Sequence, residues 1–482
     1  MKNNSRKFSK TKKQKGGSTL DNDNIRAAVN IWCSDKERAE RIYGPISGWD
    51  TSAVTNMSSL FANKTNFNDD ISKWNVANVT NMESMFSVAR AFNQPLEQWN
   101  VGNVTNMQDM FTIARAFNQD ISNWDVSKVD NMRGMFCGAI NFNNPLNNWN
   151  VGNVTNMQEM FRGAIRFNKP LENWNVGNVT NMQEMFRSAE VFNKPLEQWN
   201  VSNVNNMQGM FLNEYAFNQP LANWERDNST VGNVTTMEAM FYDASAFNQP
   251  LEQWNVSNVT HMGYMFCNAP AFNQPLEQWN VSNVTHMGYM FSDASTFNQP
   301  IGEWDVSNVT NMGQMFFFAR AFNQPIGEWD VSNVTNMGQM FYGASVFNQP
   351  LGDWNVVNVT TMNSMFLHAN AFYQDISNWN VSNGPNMDSM FNQDYNPDYK
   401  PSVERSINRQ NLDIYVDEEQ QETENIDKNL ELTPQKKVFR NPHGPIIDIR
   451  RFLGGKKGRK TKSKTKKQSK KRKTKKNKKT KK

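Results

Sequence analysis

One interval constrains this chain more than anything else in it: a tryptophan every 25 residues. Trp49, Trp74, Trp99, Trp124, Trp149, Trp174, Trp199 and Trp224 keep that spacing, and after a single gap of 30 so do Trp254, Trp279, Trp304, Trp329, Trp354 and Trp379. A unit this short cannot bury a core of its own, so repetition at this period means units that stack on one another. A length of 482 residues would otherwise suggest about three globular domains. The wide gap follows Trp224, where Glu225-Arg226-Asp227-Asn228-Ser229-Thr230 stands in place of one residue, and predicts a loop projecting from that coil.

Positions within a coil are counted from its tryptophan as position 0, leaving out the five extra residues after Trp224. The coil from Trp254 reads WNVSNVTHMGYMFCNAPAFNQPLEQ, with apolar residues at 0, +2, +5, +8, +11, +12, +15, +18 and +22. Trp and Val at 0 and +2 point the same way in a strand, with the Asn or Asp between them facing out. Read from the leucine, L-x-x-W-x-V-x-x-V has leucine-rich-repeat spacing. Val259, Met262, Met265, Phe266 and Ala269 then follow at intervals of 3, 3, 1 and 3, the spacing of a helical stripe. Asn156 with Glu159, and Asn181 with Glu184, stand at capping-box distance, and Phe-Asn-Gln-Pro turns the chain back. These features predict an α/β repeat solenoid, a leucine-rich-repeat-like stack of about 14 coils. Parallel strands over 0 to +2 would form one concave face, with short helices over about +7 to +14 on the other.

The flanks read differently. Residues 18–48 predict a helical N-terminal cap: Ile25, Ala28, Val29 and Trp32 form one stripe, and Ser34-Asp35-Lys36-Glu37 opens a second helix carrying Ala39, Ile42 and Tyr43 before Gly44. The solenoid spans 49–400, with Gly384-Pro385 replacing the usual Val-Thr near its end. Residues 401–455 predict a largely disordered linker, acidic between Asp417 and Glu431, with an apolar island at Ile446, Ile447, Ile449, Phe452 and Leu453. Residues 1–17 and 456–482 predict basic disordered tails.

Charge separates these parts sharply. The overall +5 hides seven Lys or Arg in residues 1–16 and eighteen in 456–482, neither run containing an acid. The remaining 26 basic residues face all 46 acids, so the body carries about −20. Such a chain can bind polyanions through its ends while its body repels them. No run of 18 or more apolar residues occurs, so no membrane insertion is expected. The basic N-terminus has no apolar stretch behind it, which argues against a secretory signal and for a cytoplasmic, nuclear or virion location. Cys137 and Cys267 hold equivalent places five coils apart, beyond disulfide reach.

The pattern WNVSNVTNM, followed by M-F, A and FNQPL, resembles the BspA-like leucine-rich repeats, in the branch with W-D-V-S-N-V-T-x-M signatures found in mycoplasma lipoproteins. The resemblance covers about residues 49–391, and Asn24 to Trp49 resembles the leader before such repeats. It implies a surface adhesin or binding protein and no catalytic residue. The Lys-Thr-Lys tail after Gly454-Gly455-Lys456-Lys457 resembles tails common in proteins of large DNA viruses of protists.

Candidate chemistry is sparse. All methionines but Met1 sit at +8 or +11, with Leu60 in the one vacancy; that spacing puts them in a core where thioethers pack adaptably. His261 and His286 share position +7 in adjacent coils but lack a third ligand, so no metal is expected. No nucleophile motif, P-loop or dinucleotide fingerprint is present, and neither enzyme activity nor a cofactor is expected. Asparagines at +1, +4, +7 and +19 align into ladders suited to bonding between coils. Glu303, Asp305, Glu328 and Asp330 flank two tryptophans and are candidate concave-face contacts with a protein partner. Lys466, Lys467, Lys470, Lys471, Arg472 and Lys473 are candidate polyanion contacts, suited to non-specific nucleic acid through counterion release. The expected function is a protein–protein interaction or adhesion-type scaffold without catalysis; the alternative is a nucleic-acid or virion-associated protein acting through the tail. Nothing in the sequence points to a homo-oligomer.

Overall fold

The structure, a computed structural model, describes residues 19–226 and 229–410. The basic tails and the apolar island lie outside those residues.

The body is a repeat solenoid. Its coils are joined by thirteen parallel bridges that run from Asn56 through Asn81 and every equivalent residue to Asn386, all at position +7. The expected strands over 0 to +2 and helices over +7 to +14 are both absent: among the described residues no coil contains a regular strand or an α-helix. Each coil is instead a succession of turns. In the second coil, Trp74 N–H bonds Ile71 O, Val79 N–H bonds Val76 O, Met85 N–H bonds Met82 O, and Ala89 N–H bonds Phe86 O. A β-turn closes across three residues, so a chain of turns brings every third side chain inward. That is the interval that imitates a helical stripe.

Backbone conformation at +10 and +14 excludes the helix. Both positions are left-handed in coil after coil, at Ser59 and Asn63 (φ 55° and 62°), Ser84 and Val88 (54° and 60°), and Asp109 and Ile113 (53° and 56°). An α-helix cannot pass through such residues. The N–H groups at +8, +10, +12 and +14 turn toward the next coil instead. Met82, Ser84, Phe86 and Val88 donate to the carbonyls of Asn106, Gln108, Met110 and Thr112 at 2.7–3.0 Å. Asn156 and Asn181 therefore cap no helix; each accepts from the N–H two residues on, Gln158 and Gln183.

The core matches the apolar pattern of the sequence. Trp174, Val176, Val179, Met182, Met185, Phe186 and Phe192 are all at most 2% exposed. Stacked coils align like rings: Phe161, Phe186 and Phe211 at +12 follow at 5.7–5.8 Å, and Phe167, Phe192 and Phe217 at +18 at 6.0–6.2 Å. Trp174 and Trp199 lie 6.4 Å apart with planes 3° from parallel. From Trp74 onward each indole N–H donates to the leucine or isoleucine carbonyl at −3 of the preceding coil, as Trp174 does to Leu146 at 2.8 Å.

The asparagine ladders bond as their alignment suggests. At +4, Asn178 Nδ2 donates to Gly152 O of the preceding coil at 2.6 Å. At +19, Asn168 Oδ1 accepts from Asn193 N–H of the following one at 3.1 Å. These side chains satisfy backbone groups that irregular turns would otherwise leave unpaired.

Two helices, α1 (Ile25–Ser34) and α2 (Lys36–Tyr43), begin the described residues. Ile25, Ala28, Val29 and Trp32 are buried as the stripe predicts. The cap of α2 differs from expectation: Asp35, not Ser34, accepts from Arg38 N–H, while Ser34 Oγ bonds back to Asn30 O. Ile42 is exposed, so α2 covers the core mainly through Ala39. At the other end, Ser406 Oγ accepts from Val381 N–H and donates to Trp379 O, which places the turn of helix at 403–410 over the last tryptophan.

Candidate functional site

The four acids named from sequence are exposed. Without a strand face there is no concave sheet for them to line. Asp305 Oδ1 accepts from Ser307 N–H at 3.1 Å and Ser307 Oγ at 2.6 Å, and Asp330 Oδ1 from Ser332 N–H at 3.0 Å. Both close the tight turn that follows tryptophan. Hydrogen bonding by the Ser332 hydroxyl and amide holds the Asp330 carboxyl below the usual carboxylate range. Glu303 and Glu328 stand one residue before the tryptophan on the same turns. The lysines and arginine named at 466–473 lie outside the described residues.

A different surface has a definite organisation. Contacts between coils tie positions +7, +9, +10 and +13 into one lateral face, and its character changes along the chain. In the N-terminal coils it is ionic. Arg133 lies 3.4 Å from Asp109 and 3.5 Å from Glu159, Arg162 reaches Glu159 at 2.9 Å and Glu184 at 3.3 Å, and Arg187 reaches Glu184 at 3.0 Å. Glu159 and Glu184 are largely buried beneath their arginines, each side chain 17% exposed.

Further along, the same face is aromatic and uncharged. Tyr264 and Tyr289 stack at 4.4 Å, and Gln314 Nε2 donates to the Tyr289 hydroxyl at 2.5 Å. Phe317 stacks on Tyr342 at 5.0 Å, and His368 meets Tyr342 edge-on at 5.1 Å. His261 and His286 stack at 4.9 Å, each Nδ1 within 2.9 Å of its neighbouring threonine hydroxyl. Among the described residues no group of three or more His, Cys, Asp or Glu could hold a metal ion. Between these rows, position +9 is glycine in four successive coils, Gly263, Gly288, Gly313 and Gly338, none with a positive φ that would require it. The duplicated His and Tyr are visible in the sequence. Their place on a shared face is not, because the face depends on turns that the helical reading did not include.

Burial perturbs two further features, Glu214 off this face and the cysteines Cys137 and Cys267 at +13 on it. Glu214 occupies +15, where neighbouring coils carry alanine, and is fully buried. Its Oε1 accepts from Ala216 N–H at 3.4 Å while Oε2 has no hydrogen-bond partner, and burial pushes its carboxyl up to about 9. Cys137 and Cys267 are free, and burial raises their thiols to about 11 and about 12, which keeps them in the unreactive protonated form. Beside α1 a groove of about 510 Å³ is lined by Trp32, Cys33, Lys64 and Asp69. Its charges are mutually satisfied: Asp69 accepts from Trp32 Nε1 at 2.8 Å and from Lys36 at 2.6 Å, and Lys64 bonds Asn30.

The repeat matches a family model described as "Mycoplasma protein of unknown function, DUF285" over residues 34–149, 119–224, 226–327 and 299–402. The chain belongs to this family. None of the curated proteins matches it. Among solved structures, it is similar to a leucine rich cell surface protein from Faecalibacterium prausnitzii A2-165, at 11% identity and a TM-score of 0.38, over 67% of this chain and 82% of that one. The leucine-rich repeat domain of APL1B follows at 9% identity and a TM-score of 0.15, over 58% and 77%. Scores this low carry no structural argument. Among the described residues no helix is long and apolar enough to cross a membrane.

Proposed function

We propose that the chain is a non-catalytic scaffold for protein–protein interaction or adhesion, engaging its partner through the lateral face at +7, +9, +10 and +13. The observation that carries this reading is the passage of that face from the Arg133–Glu184 ionic network to the uncharged Tyr264–Tyr342 aromatic strip with its glycine row. Aromatic residues and arginine are the side chains that dominate binding energy at protein interfaces. Affinity capture with the full chain, followed by mass spectrometry, tests it. Tyr264→Ala combined with Tyr289→Ala and Tyr342→Ala should lose the captured protein without changing the melting temperature by more than a few degrees. Full retention by that triple variant would sink the reading.

A second reading rests on charge. Eighteen basic residues and no acid in 456–482 favour a polyanion contact through Lys466, Lys467, Lys470, Lys471, Arg472 and Lys473. It fits a nucleic-acid or virion-associated protein, of large-DNA-virus origin, located in the cytoplasm, nucleus or particle. Fractionation of source cells and particles distinguishes this from surface display.

A further inference from the structure

Every coil offers N–H donors at +8, +10 and +12 to the carbonyls at +7, +9 and +11 of the next, and the coil of Trp379 has no next among the described residues. In the coil of Trp354, Met362, Ser364 and Phe366 donate to Asn386, Asp388 and Met390 at 2.7–2.9 Å. One coil on, the N–H groups of Met387, Ser389 and Phe391 have no acceptor among the described residues. The rung nevertheless keeps its form: Ser389 is left-handed at φ 53°, like each +10 residue before it. Met387 and Phe391 are half-buried, where Met362 and Phe366 are at most 1% exposed. Residues 395–410 cover other parts of this end. Tyr395 stacks on Phe372 and Phe391, and Ser406 bonds the backbone beside Trp379. The beginning of the solenoid is unlike this end, because α1 buries Ile25, Ala28, Val29 and Trp32 in the same core as Met57 and Phe61.

We propose that this open rung binds an extended peptide of a partner protein, which adds one further rung through its backbone. The proposal rests on the scaffold reading and names the chemistry of one partner. Strand addition to an exposed edge supplies the general precedent: backbone bonds give affinity and side-chain pockets give specificity. The register dictates the peptide. Counting from its residue n, apolar side chains must fall at n, n+3, n+6 and n+7 to continue the columns of +5, +8, +11 and +12. Its carbonyls at n+2, n+4 and n+6 accept the N–H groups of Met387, Ser389 and Phe391. The residues at n+5 and n+9 must tolerate a left-handed backbone, which favours Gly or Asn. Residue n+4 falls beside exposed Asp388, as Glu238 does beside Gln208, whose side chains bond at 3.1 Å across two coils. Asp388 therefore selects Arg or Lys there. Lys400 Nζ stands 5.4 Å from the Phe391 ring, over the place of the incoming n+7 side chain, and has to swing aside.

The test uses the full chain and a synthetic peptide copying residues 129–138, which has this spacing at Val129, Met132, Met135 and Phe136, arginine at Arg133, and glycine at Gly134 and Gly138. Cys137 is replaced by serine in the peptide. Amide hydrogen exchange at Met387, Ser389 and Phe391 should slow at least about tenfold at saturation, while a scrambled peptide leaves it unchanged. D388K should weaken the peptide several-fold without altering the melting temperature. Absence of saturable binding, both in the full chain and in the full chain carrying I449D and F452D, overturns the proposal. That second arm is included because Ile446, Ile449, Phe452 and Leu453 repeat the same spacing in the sequence. Binding seen only in it would replace the partner in trans with the chain's own residues. Protection that rises with protein concentration without peptide would replace it with a second copy. A partner captured through the Tyr264–Tyr342 strip leaves 387–391 unprotected, so the two readings fail separately.

Discussion

Trp174 shows how much one residue carries. Its indole is 2% exposed, lies parallel to Trp199, and donates to the Leu146 carbonyl at 2.8 Å. Replacing it with alanine removes the ring, leaves a cavity between two neighbours and orphans a buried acceptor. Trp174→Ala should cost about 3–5 kcal/mol in chemical denaturation, and a loss below about 1 kcal/mol would mean the column is not core. Glu214 acts in the opposite direction. Its carboxyl, ordinarily ionised above about 4.5, stays protonated in the fold up to about 9 because of burial. An acid raised in the folded state withholds stability as pH climbs from the unfolded value to the folded one. The protein should therefore lose stability between about pH 4.5 and 9 through this group. Glu214→Ala should remove most of that slope and stabilise by about 3 kcal/mol at pH 8. Parallel melting curves for the two proteins across that pH range would contradict it.

At the scale of the coil, strain falls on +10 and +14. Val88 and Ile113 are β-branched residues at φ 60° and 56°, a conformation that costs roughly 1–2 kcal/mol outside glycine. Val88→Gly should raise stability by about 1 kcal/mol, and an unchanged or lowered denaturation midpoint would show that the valine's packing outweighs its backbone. These positions also explain what the sequence did and did not disclose. Burial was legible, since Trp, Val, Met and Phe recur at fixed places and, apart from Met387 and Phe391 in the last rung, lie inside. The path between them was not, because turn closure and helix pitch both return a side chain to the core after about three residues. Glycine at +14 in Gly138, Gly163 and Gly343 carried the missing signal, but valine, isoleucine, histidine and phenylalanine at the same place in other coils hid it. The setting of the candidate acids was hidden for the same reason: Asp305 and Asp330 close turns and do not stand on a strand face. The lateral face was half legible, its residues visible as duplicated His and Tyr but its continuity set by the turns.

For the whole molecule, charge and stacking act on different parts. A body near −20 repels phosphate, so any polyanion binding would have to come from the terminal runs. Deleting 456–482 should abolish nucleic-acid binding and leave the melting temperature unchanged, and in the intact chain affinity should fall steeply as salt rises, irrespective of base sequence. Titrations of both chains at two salt concentrations decide it; tight binding retained by the shortened chain would move attention to the solenoid faces. Stability inside the body is a matter of neighbours, since each coil's core is completed by the coils on either side.

The bridges between coils run parallel to the direction of stacking, and that has a mechanical consequence. Pulled by its two ends, the solenoid would present only one coil's worth of bonds to the force at a time. It should come apart as a ratchet and not as a single rupture. Each released coil of 25 residues pays out about 85 Å of extended chain. The force trace should be an even series of short teeth, with one longer step of about 100 Å where 30 residues separate Trp224 from Trp254. That odd tooth would mark how far the unravelling had travelled, a ruler built into the chain.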